Sequence, residues 1–209
     1  MCTIYLMEHD DALAKITEIH SHLARSGIYK GYRSLYVGIS GIIGIGAGAL
    51  ESFFVPVVAS KLFVFYWLII AGINLSMCAL MMGYQYIFQE SKLERRKTMF
   101  VLAQFVPMLV AGIIVTVPIY TAAESAIPFL PGLWALLFGM GIFALRPYLP
   151  LITAIAGAFY FVCSFLLFGM AVKNPALLGY GLGCTFGIGQ VLSAVLLFFS
   201  IERKNNGKK

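Results

Sequence analysis

Residues 62–84 read LFVFYWLIIAGINLSMCALMMGY, twenty-three positions without one charged side chain. Bilayer hydrocarbon is about 30 Å thick and takes about 20 helical residues to cross. An open strand in lipid would leave its backbone N–H and C=O groups unpaired, so such a stretch crosses as a helix. This reading decides the fold, and the rest of the chain follows it.

Five further apolar stretches are expected to cross: 35–57, 99–121, 129–146, 149–172 and 177–201. The fourth is short and bracketed by Pro128, Pro131, Pro147 and Pro150. It is therefore expected to be tilted, partly inserted or continuous with a neighbour. The composition agrees. Of 209 residues, 60% are hydrophobic and only 11% charged, against about 45–50% and about 25% in a soluble domain. Water-soluble and disordered classes are both excluded. The expected fold is all-α, a polytopic membrane bundle of six transmembrane helices with an N-terminal cytoplasmic amphipathic helix. Residues 1–33 form the amphipathic segment, 34–201 the transmembrane domain and 202–209 a basic tail.

Charge sets the expected orientation. With the N-terminus inside, 13 of the 15 Lys and Arg residues fall on the cytoplasmic side, leaving only Lys61 and Lys173 outside. That asymmetry follows the positive-inside rule and puts both termini in the cytoplasm. The net charge of +6 thus calls for anionic headgroups rather than nucleic acid. The first apolar stretch starts near Leu35, behind an acidic polar segment, so no cleavable leader is expected. Within that segment Asp10 or Asp11 caps a helix over 10–26, whose positions Leu13, Ile16, Ile19 or His20, and Leu23 follow helical spacing. It would lie on the inner leaflet, fold against the bundle or dock a cytoplasmic partner.

Small residues recur every four positions. Ser40, Gly44, Gly48 and Ser52 share a face of the first span. Gly179, Gly183 and Gly187 share one face of the sixth, and Gly181, Thr185, Gly189 and Ser193 another. Such faces let backbones approach closely where lipid supplies no hydrophobic drive, within the bundle or between copies of the chain in a homo-oligomer. A second pattern links the halves: Gly44, Gly46, Ala49, Leu50 and Phe53 correspond, at a constant offset, to Gly139, Gly141, Ala144, Leu145 and Tyr148. Three spans per half would make these copies inverted, a common transporter construction.

Chemistry-bearing side chains are scarce at membrane depth. Gly38-Ile39-Ser40-Gly41 has the GxSG form of an intramembrane serine protease, but His9, His20 and His22 all precede the first span, so the required base is missing. The same absence removes bis-His haem and zinc-protease sites. Asp10 and Asp11 are also N-terminal, which excludes aspartyl proteolysis in the spans. The four cysteines are widely spaced, with Cys78, Cys163 and Cys184 in apolar runs, and read as small hydrophobes. No cofactor and no metal are expected, and the chain reads as a non-enzyme. The polar candidates for a pathway or network are Glu51, near the outer headgroups, with Asn74, Gln104 and Gln190. Asn74 and Gln190 fall near mid-depth, where an amide needs a partner, so a hydrogen bond between them is expected. Pro107 and Pro118 make the third span the candidate for a kink.

Two end motifs carry a resemblance. Ile19-His20-Ser21-His22-Leu23-Ala24-Arg25-Ser26 leads into Ser40-Gly41, and the Gly-rich last span closes on Phe198-Phe199-Ser200-Ile201-Glu202-Arg203. The layout resembles a class of small bacterial six-span membrane proteins without established activity. The resemblance implies a bacterial inner membrane and transfers no chemistry. The expected function is a non-enzymatic membrane component acting through protein or lipid contacts, with a protein partner at 10–26. The alternative is a small transporter or channel of two inverted three-helix halves.

Overall fold

The computed structural model describes residues 34–55, 60–88, 90 and 92–202. The expected helix over 10–26, the three histidines, Asp10, Asp11 and the tail beyond Glu202 lie outside the described residues. Six helices make up the bundle: α1 (Ser34–Phe54), α2 (Lys61–Phe88), α3 (Lys92–Ala122), α4 (Leu130–Ala144), α5 (Ala154–Lys173) and α6 (Leu178–Leu197). Among the described residues there is no strand. Each helix, with its flanking turns, is long and apolar enough to cross a bilayer, the architecture of a multi-pass membrane protein.

The fourth span is resolved by its proline. α4 alone is 15 residues, about 22 Å of rise. The preceding Glu124–Phe129 segment winds as a 3-10 helix and adds about 12 Å. Pro131 sits at the start of α4, where its missing N–H costs nothing. α3 runs through both Pro107 and Pro118 as one helix. The basic residues 92–97 form the first turns of α3 rather than a loop.

Packing is uneven. α1 and α6 make the most extensive contact, α4 and α5 the next, and α3 lies on α4. α2 touches α1 and α3 only lightly. An inverted repeat would equate α1–α6 with α4–α3, and both contacts exist; it would also equate α1–α2 with α4–α5, and there the halves differ.

The α1–α6 seam explains itself from its residues. A Cβ on Gly183 would fall 2.6 Å from the Gly48 Cα, and one on Gly187 would fall 2.2 Å from Ile45 Cγ1. Only glycine permits this approach. Gly41 belongs to the seam as well, its Cβ position lying 2.7 Å from the Gly187 carbonyl oxygen. The second small face of α6 meets α5: a Cβ on Gly189 would strike the Tyr160 ring at 2.5 Å, and one on Gly181 would press on Leu167 and Met170. Both faces that could have served self-association are thus covered within the chain. Around Tyr160 an aromatic knot joins three helices, with Phe138 at 4.9 Å and Phe186 at 5.5 Å between ring centroids.

Cross-helix hydrogen bonds pin the bundle. Ser164 Oγ of α5 donates to the Gly132 carbonyl at 2.8 Å. Trp134 Nε1 of α4 donates to Thr116 Oγ1 of α3 at 2.9 Å. The Tyr66 hydroxyl of α2 donates to the Ala47 carbonyl of α1 at 2.7 Å. Where α2 begins, Lys61 pairs with Glu124 and lies 5.8 Å from the Tyr120 ring centroid. At its other end Arg95 donates to the Ile87 carbonyl and covers the Tyr86 ring. α2 is therefore tied at both ends and loose in the middle.

Candidate functional site

Where α2 stands away from the core, a cavity of about 460 Å³ opens. Its walls come from five helices: Ser40 and Gly44 of α1, the length of α2 from Trp67 to Gln85, Phe105 to Thr116 of α3, Trp134 to Phe138 of α4, and Leu182, Phe186 and Gln190 of α6. The light packing of α2 is what leaves the space. Its polar ties lie at the ends, while the middle presents Gly72, beside which a Cβ would meet no atom within 4 Å.

The wall is almost wholly apolar. Among the described residues it carries no carboxylate, imidazole, ammonium or guanidinium group. Its polar atoms are few. Thr116 Oγ1 donates to the Gly112 carbonyl at 2.7 Å while accepting from Trp134, and Ser40 Oγ donates to the Val37 carbonyl. Trp67, only 6% exposed, has an indole N–H without a partner. Both tryptophans of the chain line the cavity.

The four polar candidates separate. Asn74 and Gln190 both line the cavity. They are not paired: Asn74 Nδ2 donates to the Ile70 carbonyl of its own helix at 2.9 Å, and its Oδ1 has no partner. Backbone one turn earlier competes successfully for a short amide. Gln104 is exposed on α3 and does not reach the cavity. Glu51 is also elsewhere. Instead of an interfacial carboxylate in water, it is 3% exposed and wedged in the α1–α6 seam. Its Oε2 lies 1.0 Å from where a Cβ of residue 179 would be, so Gly179 is the recess that admits it. Its Oε1 has no hydrogen-bond partner.

The six packing candidates separate too. Gly44, Gly48, Gly179, Gly183 and Gly187 all lie in the seam, while Ser40 faces the cavity. The spacing of four placed Ser40 with Gly44, but the seam follows Gly41, Gly44 and Gly48, the three-then-four rhythm of a helix face. Sequence reasoning also missed the cavity face of α2. Asn74, Met77, Cys78, Met81, Met82 and Gln85 stand at i, i+3, i+4, i+7, i+8 and i+11, and every one lines the cavity. That periodicity was open to reading; what hid it was the equally apolar lipid face beside it. Among the described residues no three His, Cys, Asp or Glu side chains form a metal cluster. The chain matches no protein-family model, no curated protein and no solved structure.

Proposed function

We propose that this protein is a solute-binding membrane protein of the carrier or channel class, which takes its cargo into the cavity between α2 and the α1/α3/α4/α6 wall. The cavity itself is the observation that carries the reading. Its 460 Å³ falls in the range of ligand pockets, about 300–1,000 Å³. Its movable side is α2, fastened at its ends and loosely packed along its length. The lining has no carboxylate, ammonium or guanidinium group, so the cargo is one that the apolar wall and its few polar and sulfur atoms can hold. The reading is non-catalytic, since no imidazole, carboxylate or amine on the wall is placed to move a proton. Residence in a bacterial inner membrane with both termini cytoplasmic belongs to the same proposal and rests on the 13 inside basic residues.

A contact role stands second. Exposed Lys92 and Arg96 at the start of α3 favour it, as groups that attract anionic headgroups.

The test uses the two cavity tryptophans as reporters. In lipid nanodiscs 1-bromoadamantane, a compact heavy-atom quencher, should quench their emission saturably. Gly72→Leu with Gly112→Leu should remove that saturable component while the protein stays folded, because a Cβ on Gly72 meets nothing within 4 Å and one on Gly112 only touches the Leu137 side chain at 4.0 Å. Quenching that rises linearly with the quencher, or is indifferent to the two leucines, would overturn the reading.

A further inference from the structure

Beyond Leu75, every residue that α2 contributes to the cavity is a sulfur or carboxamide side chain: Met77, Cys78, Met81, Met82 and Gln85. The opposite face over the same turns carries Leu80, Tyr84, Ile87 and Phe88, all exposed. Sulfur is thus sorted to the cavity and hydrocarbon to the surroundings. Four sulfur atoms stand on two stacked i, i+4 pairs, Met77 with Met81 and Cys78 with Met82, and Met108 of α3 adds a fifth to the same cavity.

One pair already has ligand spacing. The Cys78 thiol donates to Met82 Sδ across 3.9 Å. Metal–sulfur bonds are about 2.3 Å, so two sulfurs on one ion stand about 3.8 Å apart at a tetrahedral angle and about 4.0 Å at a trigonal one. Thiolate and thioether ligands select Cu(I) over hard cations, which ask for oxygen. The charge balance agrees. A wall without carboxylates cannot neutralise a divalent ion, but one thiolate cancels one monovalent charge and leaves a neutral centre in an apolar cavity.

We infer that the cavity is a soft-metal site for Cu(I), or its analogue Ag(I), held by the Cys78 thiolate and the Met82 thioether with a third thioether from Met77, Met81 or Met108. On binding, the Cys78 S–H bond breaks, a copper–sulfur bond forms, and the proton leaves to solvent; no electron changes hands. This inference rests on the cavity reading and names its cargo.

The test is Cu(I) retention by the full chain in nanodiscs under reducing conditions, against graded bicinchoninate as competing chelator. One Cu(I) per chain should be held, with quenching of the cavity tryptophans, and Ag(I) should displace it. Cys78→Ser and Met82→Leu should each weaken retention tenfold or more. Cys163→Ser and Cys184→Ser should leave it unchanged. Saturable quenching by 1-bromoadamantane in each variant shows that the fold survives. If that quenching is seen but no Cu(I) is retained, the soft-metal site falls and the cavity reading stands. If neither binds, both fall. Retention that ignores Cys78→Ser and Met82→Leu, or that follows Cys163 or Cys184, also overturns the inference.

Discussion

Glu51 and Gly179 form one unit, because the carboxylate fills the space that a larger residue at 179 would take. Gly179→Ala should therefore lower the thermal unfolding temperature in detergent, at a cost of about 1–3 kcal/mol for overpacking. Combining it with Glu51→Ala should recover most of that loss, a coupling that a double-mutant cycle measures directly. Additive losses would mean that the two do not share the space. Further along the seam, Gly183→Val should cost at least as much, its Cβ landing 2.6 Å from backbone. Gly46→Val, which would meet nothing within 4 Å, should shift stability by less than about 0.5 kcal/mol. The two glycines sit on neighbouring helices with the same chemistry, so the contrast isolates close approach from glycine's helix propensity.

At the scale of elements, the contrast is between a fused pair and a loose helix. α1 and α6 hold each other by backbone contact along their length, while α2 depends on Tyr66 at one end and on Arg95 at the other. Tyr66→Phe deletes one hydrogen bond, worth about 0.5–1.5 kcal/mol net, and should loosen the wall that carries Cys78. In a chain whose other cysteines are replaced by serine, Cys78 should then react with a bilayer-permeant maleimide at least twofold faster. An unchanged rate would show that the Tyr66 tie does not govern access. The elements themselves were legible in the sequence, because about 20 apolar residues in lipid admit only a helix. The 3-10 extension of the fourth span was not, since Pro128 and Pro131 fit a break, a half-insertion or a tight lead-in equally well. Nor was the choice among partners for α6: its two small faces pointed to close packing without saying against which helix.

For the molecule as a whole, the positive-inside asymmetry predicts that green fluorescent protein fused at either terminus will fluoresce and that alkaline phosphatase at either terminus will be silent. Phosphatase activity at one end only would mean an odd number of crossings. Lys61 and Glu124, which pair at one end of the bundle, would then lie on the outer side. There the pair is exposed and contributes little to stability, so its use is to align the start of α2 with the turn before α4. The cavity belongs to this scale as well, because no single helix encloses it.

By itself the sequence determined the class, the apolar stretches and the small-residue faces, because hydrophobic length, backbone pairing and side-chain size act locally and leave their mark on consecutive or regularly spaced residues. Only the tertiary structure decided that Glu51 is buried against Gly179, that Asn74 and Gln190 share a cavity which Gln104 and Glu51 do not reach, and that the sulfur side chains of α2 face inward. In a chain where lipid-facing and core-facing positions are equally apolar, periodicity cannot tell one face from the other. Which face turns inward is set by backbone approach between helices distant in sequence, and here by the seam of α1 with α6.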